Sequence, residues 1–190
     1  MEYRILIVGS GAREHAITRS ISKTQIDHKL FCIASNKNPG IINICDELIL
    51  GDIEDVDFIV ENAVQRKCNL AIVGPENPLF KGVVDRLKEN NIPSIGPTKD
   101  LAQIETSKSF ARDLMKEYEI DGLPIYQSFS SMNGVKEYLN NHGEDYVLKY
   151  DGLAGGKGVK VSGEHIFNHE EALDVLPLTI ESSTNRTFLL

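Results

Sequence analysis

Two glycine-bearing turns hold the residues best suited to chemistry. In YRILIVGSGAREHA, residues 3–16, an apolar run enters Gly9, Ser10 and Gly11 and is followed at once by Arg13, Glu14 and His15. A turn without Cβ atoms brings backbone N–H groups and a helix start toward an anion. Arg13 adds a forked donor suited to phosphate, and His15 a second polar group. Glu14 stands where the G-x-G-x-x-G dinucleotide pattern has its third glycine, and no acidic residue follows the second apolar run to hold a ribose diol. One phosphate or a small polar molecule suits this turn better than a dinucleotide. The same residues also fit a plain tight turn, with Arg13 paired to Glu14 or to water.

The segment IVGPENP, residues 72–78, puts Gly74, Pro75 and Glu76 directly after another apolar run. If the two runs are neighbouring parallel strands, Glu76 and the 9–15 turn share one crevice, where a carboxylate can receive an amine or ribose hydroxyls. It fits equally well as a helix start, with proline early and an acid favourable to the helix dipole. The loop at 34–41, ASNKNPGI, stays open between a ligand contact and a surface turn.

The second glycine turn is LKYDGLAGGKGVKV, residues 148–161, where Gly152, Gly155, Gly156 and Gly158 expose amides and Lys149 and Lys157 add positive charge. The spacing is one residue short of a Walker loop, Gly158 replaces the magnesium-binding Ser or Thr, and no helix follows. A strand, a glycine loop and a second strand can instead fold over a polyphosphate. The plain alternative, an exposed hairpin with surface lysines, leaves the ordering cost of these glycines without a packing return.

The elements that must position these turns follow from periodicity. Residues 3–8, 29–34, 70–74 and 92–96 read as strands, alternating with helices at 12–21, from Asp52 or Asp55 through Val64, and at 78–90. This alternation predicts a mainly parallel sheet covered on both faces. Residues 98–118 read as helical, with a break near Thr106 or Ser107. Gly122 and Pro124 then introduce a different pattern: strands at 125–129, 145–150, 158–162 and 186–190 and a helix at about 131–140. The expected boundary lies at 119–124, giving domains 1–121 and 122–190.

The chain of 190 residues is 41% hydrophobic, enough for a core, and its net charge of −8 without a run of like charges gives no case for nucleic acid or anionic membrane as partner. Cys32, Cys45 and Cys68 are odd in number and widely spaced, which suits a reduced cytoplasmic setting rather than a disulfide framework or a zinc site. The opening apolar stretch is too short for a signal core or a membrane span.

Five segments, ILIVGSGAREHA, AIVGPENPLFKGVVD, IPSIGPT, ETSKSFARDLM and KYDGLAGGKGV, resemble in order the hallmark motifs of the phosphoribosylamine–glycine ligase family, also called glycinamide ribonucleotide synthetases. The resemblance implies a Rossmann-like pre-ATP-grasp domain followed by a small α+β ATP-grasp lid. It implies ligation of glycine to 5-phosphoribosylamine with ATP cleaved to ADP and phosphate, and Mg2+ or Mn2+ as companion ion. By motif, Gly9, Gly11, Arg13, Glu14, His15, Gly74, Pro75 and Glu76 would line the phosphoribosylamine side. Lys108 and Lys149 would meet ATP phosphates, with Gly152, Gly155, Gly156, Lys157 and Gly158 covering them. Gly155, Thr106 and SNKNPGI depart from the family pattern. The family's acidic hinge, its metal ligands and most of its glycine site would follow Leu190, so the chain is expected to be an incomplete portion that is inactive by itself. The other readings are a NAD-dependent oxidoreductase, disfavoured by Glu14, and a non-catalytic ligand-binding module.

Overall fold

A computed structural model describes residues 2–153, 158–183 and 186–190. The chain divides into two compact units, Met1–Ala102 and Gln103–Leu190.

The first unit is a parallel sheet in the order β3-β2-β1-β4-β5. Its strands are β1 (Tyr3–Val8), β2 (His28–Ala34), β3 (Glu47–Leu50), β4 (Leu70–Val73) and β5 (Ser94–Ile95). The helices are α1 (Ala12–Ile21), α2 (Pro39–Ile42), α3 (Val56–Gln65), α4 (Glu76–Phe80) and α5 (Val83–Glu89). The unbroken apolar run of β1 is explained by burial on both faces. Leu6 and Val8 pack with Ile59, Ala63, Val83 and Leu87 from α3 and α5. Ile5 and Ile7 face the other way, toward Ile41 of α2 and Ile17 and Ile21 of α1. Each such side chain removed from water contributes about 2 kcal/mol.

Asp55, one of the two expected starts of α3, caps it, its carboxylate accepting from the Phe58 amide at 3.0 Å. The single helix expected at 78–90 is instead two, because Gly82 sits at φ +86° and turns the chain between α4 and α5. Strand β3 was not foreseen; its four residues are short and only partly buried, so alternation is hard to see in them.

The second unit is an antiparallel sheet in the order β6-β9-β7-β8. A helix, α6 (Lys99–Thr106), spans the division between the units, and α7 (Lys108–Glu117) follows it. Next come β6 (Ser128–Phe129), α8 (Val135–His142), β7 (Val147–Tyr150), β8 (Val159–Val161), α9 (His169–Ser182) and β9 (Phe188–Leu189). The break expected near Thr106 or Ser107 is there: the Ser107 hydroxyl caps α7 by accepting from the Phe110 amide at 3.2 Å. The division falls earlier than 119–124, and α7 lies in the second unit because its start is hydrogen-bonded to Asp151. Strand β9 pairs with β6 on one side and β7 on the other, and Phe188 stacks on Phe129 with ring centroids 5.4 Å apart. Helix α9, with Pro177 inside it, covers this core through Ala172 and Leu176 and had no sequence assignment.

All three cysteines are free thiols. Burial pushes the Cys32 thiol up to about 12 and the Cys68 thiol up to about 11. Raised values mean that the folded chain holds these protons longer than the unfolded chain, whose thiols ionise near 9.0. Stability from this source is therefore complete below pH 9 and lost as pH rises toward 12. At pH 8 a thiol reagent should label half-buried Cys45 first and reach Cys32 and Cys68 only at the rate of unfolding. Mass-spectrometric mapping of the labelled sites checks the order, and equally fast labelling of Cys32 would contradict it.

Candidate functional site

The order of the parallel sheet reverses between β1 and β4, and their register sets Val8 opposite Val73. Both strands therefore release their chains at the same point of the carboxyl edge, where an open α/β sheet forms its crevice. Gly9 leaves β1 at φ +113°, its amide donating to Ile33 O at 2.8 Å. A Cβ on Gly9 would lie 2.8 Å from Pro75 Cγ, so the close approach of the two turns requires glycine there.

Glu14 decides the shape of this turn. Its side chain is 4% exposed and folds back so that Oε2 accepts from the Gly11 amide at 2.6 Å, the return half of a capping box. A Cβ on Gly74 would stand 1.9 Å from Glu14 Oε1. The carboxylate thus occupies the space that close helix packing leaves to glycine in a dinucleotide site, and it takes up an amide that a pyrophosphate would use. Arg13, exposed, donates from Nη1 to the Gly74 carbonyl, bridging the two turns. One of its five donors is engaged in this bond.

His15 is half-buried beneath the 34–41 loop, whose part in the site had been left open. Asn38 caps α2 by accepting from the Gly40 amide at 2.9 Å and donates from Nδ2 to Ser10 O at 2.9 Å. Gly40 lies so near His15 that a Cβ would come within 2.2 Å of the imidazole. On the other side of the turn, the Cys32 thiol donates to Gly9 O at 3.3 Å. Asn38, Gly40 and Cys32 were missed as site residues; the N-P-G sequence was the available signal for the first two. Glu76 is exposed at the first position of α4, after Pro75 as N-cap. Gly9, Gly11, Arg13, Glu14, His15, Gly74 and Pro75 are joined by this packing.

In the second unit the central group is Asp151, 1% exposed and not singled out by the sequence reading. Its carboxylate accepts from the Lys108 amide at 2.6 Å, the Ser109 amide at 3.3 Å and the Ser107 hydroxyl at 3.1 Å, and also from the Ser109 hydroxyl. The next residue, Gly152, has φ +123°, and its carbonyl accepts from Lys108 Nζ at 2.9 Å. Burial holds the Lys108 ammonium below the usual lysine range; Asp151 works against that shift and Lys149 adds to it.

Lys149 projects from β7 and, with Arg112, lines a cavity of about 340 Å³ whose walls include Tyr126, Leu189 and Leu190. Asp145 and His142 line the same cavity, so its two cations face an acid as well as an aromatic and aliphatic wall. Gly158, buried, returns to β7 by accepting from the Tyr150 amide at 2.8 Å. Gly155, Gly156 and Lys157 lie outside the described residues. No group of three or more His, Cys, Asp or Glu able to hold a metal ion occurs among the described residues.

The two units and the family models matched to them define an α/β protein of the ATP-grasp type: the phosphoribosylglycinamide synthetase N domain matches residues 3–105 and the phosphoribosylglycinamide synthetase ATP-grasp (A) domain matches residues 106–185. The chain belongs to the phosphoribosylglycinamide synthetase family. It is 39% identical over 180 residues to a phosphoribosylamine–glycine ligase of Methanobrevibacter smithii, covering 95% of this chain and 40% of the relative. A phosphoribosylamine–glycine ligase of Methanococcus maripaludis strain C5 is 46% identical over 173 residues, covering 89% of this chain and 39% of the relative. The chain thus spans about 40% of the length of these curated relatives. The crystal structure of phosphoribosylamine–glycine ligase from Thermotoga maritima shares the fold, with TM-score 0.73 and 23% identity over 98% of this chain and 42% of that one. An N5-carboxyaminoimidazole synthetase from Staphylococcus aureus complexed with ADP also shares it, with TM-score 0.75 and 16% identity over 100% of this chain and 48% of that one.

Gly74→Ala should force Glu14 outward, breaking its bond to Gly11 and lowering stability by about 1 to 3 kcal/mol. Because Glu14→Ala removes the obstructing carboxylate, the double variant should lose less than the sum of the two single losses. Urea unfolding of the four proteins checks this, and strict additivity would contradict the packing of Glu14 on Gly74.

Proposed function

We propose that this chain supplies the phosphoribosylamine side and the phosphate-binding lid of an ATP-dependent carbon–nitrogen ligase that joins glycine to 5-phosphoribosylamine. The observation that carries this reading is the succession of the family's N-domain and ATP-grasp models along one chain, each on a unit with a cation-bearing glycine turn. In the first unit Arg13, with donors still available beyond Gly74 O, is assigned to the substrate phosphate. His15 and the amides of the 9–11 turn complete that side, with Gly74 and Pro75 as its wall and Glu76 at its rim for the amine or ribose hydroxyls. Glu14 acts from within by fixing the turn.

In the second unit Lys108, Lys149, Gly152 and Gly158 are assigned to ATP phosphates, and Gly155, Gly156 and Lys157 by motif. The lysine ammonium groups stabilise phosphate charge electrostatically and do so without transferring a proton. The chemistry that ATP supplies is a phosphoryl group for the glycine carboxylate, creating a leaving group that the ribosylamine nitrogen displaces. Glycinamide ribonucleotide, ADP and phosphate are the products. Mg2+ or Mn2+ belongs to the proposal as companion of ATP; the described residues offer no cluster for it, and their roles are drawn without it. The assigned compartment is the cytoplasm, and no helix among the described residues is long and apolar enough to cross a membrane.

Calorimetry with ribose 5-phosphate should show binding that Arg13→Ala weakens by about 1 to 3 kcal/mol, the value of a charged hydrogen bond. Unchanged affinity would remove Arg13 from the site. Saturable binding of NAD in place of ribose 5-phosphate would favour the oxidoreductase reading.

A further inference from the structure

We propose that Asp151 is a positioning residue for the phosphate lysine Lys108: it gathers residues 107–109 onto one buried carboxylate and thereby sets Lys108 Nζ at the mouth of the glycine turn. The proposal rests on the reading that this unit takes nucleotide phosphates.

Four donors converge on the Asp151 carboxylate: the amides of Lys108 and Ser109 and the hydroxyls of Ser107 and Ser109. All lie in the first turn of α7 or its cap, more than forty residues away in sequence. A buried carboxylate with this many donors fixes their backbone, since losing any one leaves a polar group unmatched in the interior. Lys108 is bound at both ends of its residue. Its amide meets Asp151 Oδ1 and its ammonium meets Gly152 O, the carbonyl one residue further along the same turn. The lysine side chain therefore spans from the start of α7 to the entrance of the glycine turn. Few of its rotamers satisfy both bonds, so the entropy of ordering a long side chain is met before an anion arrives.

Charge is the second part of the role. The groups acting on Lys108 are Asp151 and Glu105, which favour its cationic form, and Lys149 and Arg112, which oppose it together with burial. Asp151 is the largest of the favourable influences. A neutral residue at 151 leaves only Glu105 to favour the cation against burial and two positive neighbours, so the proton leaves at lower pH.

Two neutral variants separate position from charge. Asn keeps an acceptor for the Lys108 and Ser109 amides and Ala keeps none. With inorganic tripolyphosphate as the probe, followed by calorimetry on the whole chain without metal, D151A should lose about tenfold in affinity. D151N should recover part of that loss. Both variants should lose binding at lower pH than the parent chain. Affinities for D151N and D151A equal to or above that of the parent, with the alkaline limb unmoved, would overturn the proposal, because a bystander anion only repels phosphate.

Nitrogen NMR titration of the Lys108 ammonium in the ligand-free chain reads the link without any phosphate. A lower titration in D151N supports it, and an unmoved one overturns it. Absence of tripolyphosphate binding by the parent chain would instead overturn the phosphate reading of the unit, whatever the NMR titration gives. If D151A does not fold, S107A/S109A takes its place. Removal of two hydroxyl donors should give a smaller loss of affinity in the same direction, and unchanged affinity counts against the proposal.

Discussion

A carboxylate taken out of water must be met by hydrogen-bond donors, and each unit of this chain is organised locally around one such demand. In the first unit Glu14 turns inward and takes the Gly11 amide, and the space it needs is provided by glycines at 9, 11 and 74. In the second, Asp151 collects the start of α7. The consequence is the same in both places. Flexible glycine turns, costly to order, are held by an acid whose alternative is an unsatisfied buried charge.

These acids also divide labour with the cations beside them. Arg13 and Lys108 each spend one donor on a backbone carbonyl, of Gly74 and Gly152 respectively, and so lie across a turn. A cation with a fixed carbonyl partner is preorganised, because part of its side-chain entropy is already lost. Arg13 is exposed, whereas Lys108 is partly desolvated and its charge depends on its neighbours. Burial and neighbouring charges therefore bear on the Lys108 ammonium in a way that has no counterpart in the exposed setting of Arg13.

Much of the fold was legible because its cause is local. The continuous run within residues 3–8 read as a buried strand, and the structure covers it on both faces. Capping chemistry that operates within three residues narrowed two helix starts to Asp52 or Asp55 and to Thr106 or Ser107, and the structure uses Asp55 and Ser107. Strand β3, helix α9 and the break at Gly82 were not legible. Four half-buried residues give no clear period, and Pro177 inside α9 contradicts the pattern that identifies a helix. Gly82 can be tolerated within a helix or can turn the chain, and only packing chooses.

The site shows the same division. Residue types and spacing determined that two glycine turns, one with an arginine and one with lysines, stand at strand ends, and that Glu14 disagrees with a dinucleotide site. They did not determine which acids are internal. Asp151 follows a strand and precedes glycine, as many turn residues do, and its donors at 107–109 are separated from it by the rest of α7, β6, α8 and β7. Asn38 likewise reaches Ser10 across twenty-eight positions. Sequence fixes what a side chain can bond to; tertiary structure decides what it does bond to, because partners remote along the chain become neighbours only after strands have paired and both faces of a sheet are covered.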